Sequence, residues 1–256
     1  MTQPIKPTTS FLQLIPNTVN HNYGFKVAYP NKNLKIHYEV ALKFETYNDN
    51  KYPVYSINRS QVYINNQVPD MLVYEIADEM VKSIYPIHFG VNKNGTILTL
   101  ENHQEIISRC KKAEKKISNY YEADVAQNII TNFNTQYNNS NSLIYQLQND
   151  LFYNLLFFPL HNQFNKDLKA ETIFKLLIEQ KEVNLPVFQE IEKHYTDSHK
   201  IKVNLLGLNN NDKIIKFKIF YNLYPDNYAI SSIVGEIEYE LDNEKEIIEF
   251  ECYHLK

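Results

Sequence analysis

The chain has 256 residues, 43% of them hydrophobic and 22% charged, with a formal net charge of −4. That much apolar surface excludes a disordered chain, because its burial offsets chain entropy. No run of about 18 apolar residues occurs, so no membrane span is expected.

The kind of charge narrows the function further. Arg59 and Arg109 are the only arginines, and arginine is the preferred group for bidentate phosphate and guanine contacts. A mildly acidic chain so poor in arginine is not expected to bind nucleic acid. Lys111, Lys112, Lys115 and Lys116 lie close together, but Glu114 interrupts them and they read as a solvated helix face. The five glycines are too scattered for GxGxxG, GxxxxGK[ST] or GxSxG, which excludes dinucleotide, P-loop and nucleophile-elbow chemistry; no cofactor is expected. Cys110 and Cys252 are too few for a cysteine zinc site and form no CxxC pair, so both read as small buried hydrophobes. Prolines break the apolar stretch that a secretory signal would need near the start, and a cytoplasmic protein is expected.

In chain order, residues 1–33 are polar and rich in Pro and Asn, and read as an extended N-terminal arm with apolar islands at 11–15 and 25–29. Residues 34–256 read as a single α+β domain. Residues 34–47 and 54–64 alternate as two antiparallel strands around Asn48, Asp49 and Asn50. A helix follows with Asp70 as its expected N-cap and Leu72, Ile76, Met80 and Ile84 in line; Pro86 ends it. Residues 87–100 form a hairpin turning at Asn94 and Gly95. Asn102 with Glu105 resembles a capping box for a helix to about Tyr121. Residues 125–137 make a second helix and 143–158 a third, the most hydrophobic of all.

Residues 160–200 carry both periods: 167–180 has helical spacing, whereas 172–174 and 183–187 suit strands. From Lys200 onward the period is two, giving a four-strand meander. The expected fold is α+β: a large curved antiparallel sheet packed around the helical segment at about 102–158, in the order β-β-α-β-β-α-α-α, then the meander.

No cluster reaches the quality of a catalytic motif, and the expectation is a protein that is not an enzyme. His194, Asp197 and His199 place three metal-ligand types in six residues, but the HxxxxH spacing puts the rings about 140° apart on a helix. They read as a polar loop, and no metal is expected. Cys252 and His254 share a strand face and read as packing; the glutamates from 236 to 251 read as the wet face of a hairpin. Aromatic residues, with twenty Tyr and fourteen Phe, are the unusual resource. The expected function is binding: an apolar small molecule or polypeptide segment held in a sheet–helix cavity by Phe152, Phe157 and Phe158. Alternatives are an adaptor subunit of a bacterial secretion or phage-like assembly, docking onto a protein partner through the arm, and, ranked lower, a metal-dependent hydrolase.

Overall fold

The computed structural model describes residues 12, 14–92, 95–121, 124–160, 164–178, 181–192, 199–208 and 214–255. Among them lie the strands β1 (Asn20–Tyr29), β2 (Leu34–Tyr47), β3 (Pro53–Arg59), β4 (Tyr63–Ile64), β5 (Ile87–Val91), β6 (Ile97–Leu100), β7 (Lys169–Ile178), β8 (Lys181–Ile191), β9 (Ile201–Gly207), β10 (Ile214–Leu223), β11 (Ile230–Leu241) and β12 (Glu244–Leu255). The helices are α1 (Leu72–Lys82), α2 (His103–Tyr120), α3 (Asp124–Tyr137), α4 (Ser140–Asn149) and α5 (Leu151–Leu156). The expected α+β fold, a large antiparallel sheet with a helical insertion and a C-terminal meander, is what the chain forms.

All the strands join one sheet in the order β6-β5-β3-β2-β1-β12-β11-β10-β9-β8-β7, with β4 added on β2. Each named pair is antiparallel. The register lines up Phe25, Cys252, Ile233, Tyr221, Val203 and Ile191 across β1, β12, β11, β10, β9 and β8. All six are buried, as period-two alternation requires of a sheet with one face against a core. Gly235 leaves room in the sheet for the Phe250 ring opposite; a Cβ there would stand 2.3 Å from it. The outer face carries ion pairs, Glu236 with Lys216 at 2.7 Å, Glu238 with Lys245 at 2.9 Å and Glu251 with Lys26 at 3.7 Å, beside exposed Phe220, Val234 and Tyr253. These exposed pairs contribute little each, and they give the acidic hairpin its place as a solvated face.

The sheet closes on its helices. Its two edges, β6 and β7, both pack against α4, so the sheet curls until its ends meet the same helix. Side-chain amides tie down both edges. Gln148 donates to the Ile97 carbonyl on β6 at 2.6 Å, and Asn154 donates to the Lys175 carbonyl on β7. Unpaired edge groups invite further strands, and here the helical segment occupies some of them.

The chain from α5 to Phe158 is the plug of this curled sheet. Phe152 meets Phe25, Tyr153 meets Phe89, Phe158 meets Phe174, and the Tyr221 hydroxyl donates to the Leu155 carbonyl at 3.0 Å. Each buried aromatic side chain contributes about 1.5–3 kcal/mol through area alone.

Five local expectations differ from what forms. The strand expected over 54–64 ends at Arg59, and only Tyr63–Ile64 resume as β4 on β2. Residues 20–29, expected within an arm, are β1 near the middle of the sheet, and Leu12 is buried in the core. Phe25 and Val27 of the island at 25–29 face inward and Lys26 faces out, so the segment docks on its own domain. The expected helical spacing at 167–180 gives way to β7, because Phe174, Leu176 and Ile178 alternate toward the interior. The single helix expected over 143–158 is broken at Asp150, whose backbone is extended and whose Oδ1 accepts from the Tyr153 N–H at 3.2 Å. Asp70 does not cap α1, which Met71 precedes; Asn102 stands at the N-cap of α2 as expected, but its amide makes no capping bond and instead joins the His88 N–H to the Pro86 carbonyl, each at 2.9 Å.

Candidate functional site

At one end of the curled sheet an apolar cavity of about 380 Å³ remains open beside the plug. Its size lies within the range of ordinary small-molecule sites. Six parts of the chain wall it: the segment before β1 (Leu14, Pro16 and Val19), Tyr23 of β1, the β2–β3 hairpin, the end of β5 with Asn92 and Gly95 beyond it, the end of α5 with the residues after it, and the turn into β11.

The plug supplies its floor. At Phe157 the chain leaves α5 with φ −110° and ψ 20°, its N–H still donating to the Tyr153 carbonyl at 2.9 Å. Its ring stands edge-on to Phe89 at 5.1 Å and tilted to Tyr55 at 6.0 Å, arrangements that aromatic quadrupoles favour. Phe158 is buried and also lines the cavity. Phe152 does not: its ring packs into the core between Phe25 and Tyr38, at 5.0 and 5.8 Å. Of the three sequence-predicted phenylalanines, the structure therefore brings two to the cavity.

The opposite wall depends on the hairpin between β5 and β6. Gly95 has φ +87° and lines the cavity. A Cβ at this position would stand 2.6 Å from the Phe157 carbonyl oxygen, so the turn rests directly on the plug backbone. Asn94 lies outside the described residues. The segment before β1 is held by two backbone bonds, Ile15 N–H to Asn227 at 3.2 Å and Phe44 N–H to Val19 at 2.8 Å.

The polar groups at the cavity are few. The Tyr23 hydroxyl donates to the Ile230 carbonyl at 2.9 Å and lies 3.1 Å from His21 Nδ1. Burial pushes its pKa well above the usual phenol range, and that of Tyr55 as well, so both stay neutral. Exposed Lys51 and Tyr47 stand at the rim. Among the described lining residues there is no carboxylate, imidazole or thiol. The surface can exclude water and hold an apolar body, with a cation at its mouth.

Next to this cavity lies a unit that one-dimensional reading missed. The His21 and His254 rings are 4.1 Å apart, His254 Nδ1 is 2.7 Å from the Tyr224 hydroxyl, and Lys200 Nζ lies 3.2 Å from the centre of the Tyr224 ring. Burial, then the neighbouring His254, holds His21 below the ordinary histidine range, against a weaker opposing effect of Asp226. The pairing of β1 with β12 creates this contact, and no local spacing announces it. Cys252, two residues away, is wholly buried, and desolvation pushes its thiol up to about 12.

His194 and Asp197, the expected loop residues of the metal-ligand types, lie outside the described residues; His199 is exposed with φ +49°. Among the described residues no three His, Cys, Asp or Glu side chains are placed to hold a metal ion, and no helix is long and apolar enough to cross a membrane. A scan against protein-family models and a search of the curated proteins found no match to the chain.

Proposed function

We propose that this is a non-catalytic binding protein that holds an apolar small molecule in the cavity between the plug and the first strands. The observation that carries the reading is the cavity of about 380 Å³ with Phe157 and Phe158 in its wall. An open, mostly apolar hollow of this size, walled by aromatic side chains with few polar groups, has the form of a small-molecule site. Lys51 at the rim favours a ligand with an anionic end, such as an acyl chain carrying a carboxylate: the chain takes the aromatic wall and the charge stays with Lys51 in water.

A titration with a fluorescent fatty acid tests this. The wild type should bind it saturably at one site, with the emission change that follows transfer out of water. Val19→Trp, which places an indole into the cavity from a buried position in its wall, should weaken binding at least about ten-fold while the fold is retained. Equal binding by a folded Val19→Trp variant would overturn the reading.

A further inference from the structure

A pair of histidines stands beside the wall of the apolar cavity. Val19 and Tyr23 line that wall, and His21 lies between them in the chain, on the inward side of β1 with Tyr23. The Tyr23 hydroxyl donates to the Ile230 carbonyl, so in its 3.1 Å contact with His21 Nδ1 the imidazole is the donor. Ile230 also lines the cavity. A second bond, from the Ile15 N–H to the Asn227 carbonyl at 3.2 Å, likewise ties the β1 side of the wall to the turn into β11.

Positive charge on the pair would meet little compensation. His254 of β12 stands opposite Tyr23 in register, and its ring centre is 4.1 Å from that of His21. A neutral His254 can accept at Nδ1 from the Tyr224 hydroxyl 2.7 Å away; the protonated ring can only donate there. Lys200, in the segment before β9, lies against the Tyr224 ring with Nζ 3.2 Å from its centre. Burial keeps Tyr23 and the Cys252 thiol neutral, and β2 sets apolar Leu42 opposite His21. Asp226, exposed in the turn before β11, favours a charged His21, but water and salt screen it.

We propose, on the reading of the cavity as an apolar site, that the His21–His254 pair is an acid-operated release for its ligand: protonation of the two rings drives the start of β1 away from the end of β12 and loosens the wall. Two imidazolium rings 4.1 Å apart repel each other, Lys200 adds to the positive field, and a screened carboxylate opposes it. The strain falls on the Tyr23–Ile230 and Ile15–Asn227 bonds, which hold two sides of the cavity together. Burial and His254 hold His21 below the ordinary histidine range, so the change lies below about pH 6.5. Linkage requires the converse: a bound ligand makes the pair harder to protonate.

Fluorescence titration of the full chain with N-phenylnaphthylamine, at about pH 7.5 and again at about pH 5, tests this on both sides of the histidine range. The probe is uncharged at both, so neither its own ionisation nor Lys51 enters the comparison. The wild type should bind at the higher pH and at least about five-fold more weakly at the lower, with its far-UV circular dichroism unchanged. In the double variant His21→Asn, His254→Asn, each amide keeps a partner for its tyrosine hydroxyl and takes up no proton. It should bind as the wild type does at the higher pH and keep that affinity at the lower. Should this variant fail to fold, histidine ring titration of the wild type by NMR decides, since added probe should lower the midpoint of His21 or His254. Absence of binding at the higher pH removes the apolar reading and this inference with it. Equal wild-type binding at the two pH values, a folded double variant that weakens as steeply, or histidine midpoints indifferent to the probe would overturn the release device alone.

Discussion

Gly95 offers a sharp test, because the structure asks two separate things of it. Its φ of +87° lies in a region that glycine enters freely and other residues do not, and a side chain there costs about 1–2 kcal/mol. Its α-carbon also faces the plug backbone, with the Phe157 oxygen 2.6 Å and the Phe158 oxygen 3.3 Å from where a Cβ would sit. Backbone cannot swing aside like a side-chain tip, and forced overpacking costs about 1–3 kcal/mol. Gly95→Ala should therefore lose about 3 kcal/mol in urea unfolding, or about 6–12 °C in melting temperature for a chain of this size. Gly24→Ala is the control: its nearest contact is the end of the Leu255 side chain at 3.3 Å, and the loss should stay under about 1 kcal/mol. Gly95→Asn, which tolerates positive φ better, should recover only the dihedral part. A Gly95→Ala loss below about 1 kcal/mol would refute the claim that the hairpin rests on the plug.

Other outcomes follow from the same contacts. Gln148→Leu and Asn154→Leu each leave an edge carbonyl without its donor and should each cost about 0.5–1.5 kcal/mol by urea titration; the double variant should also aggregate sooner on warming, by light scattering. His21, held below the ordinary histidine range, binds a proton more readily in the unfolded chain. Stability should thus be full above about pH 6.5 and fall as pH drops toward the folded pKa, and His21→Phe should flatten that part of the profile.

The elements that local pattern reveals are those whose neighbours in sequence are also neighbours in space. The meander over β9 to β12 and the 87–100 hairpin are of this kind, since each strand pairs with the one next to it in sequence. β1 is not: it pairs with β12 at the far end of the chain, so its polar surroundings made residues 20–29 read as part of an arm. The break at Asp150 was hidden because Leu147, Leu151 and Leu155 keep a continuous four-residue period across it, and only the capping chemistry of an aspartate within the run marks it. Phe157 and Phe158 could be singled out from local aromatic density, whereas Phe152 shared that density and went to the core. The His21–His254 pair left no trace in spacing, because it acquires its surroundings from elements far apart along the chain.

Native mass spectrometry of the purified full chain tests the central claim most directly. Masses are recorded before and after denaturation in organic solvent, and the released fraction is identified. The account predicts a folded species heavier than the bare chain by one apolar molecule, which denaturation releases and which the Val19→Trp variant lacks. A wild-type protein at the bare chain mass, which also fails to take up added fatty acid, would contradict it.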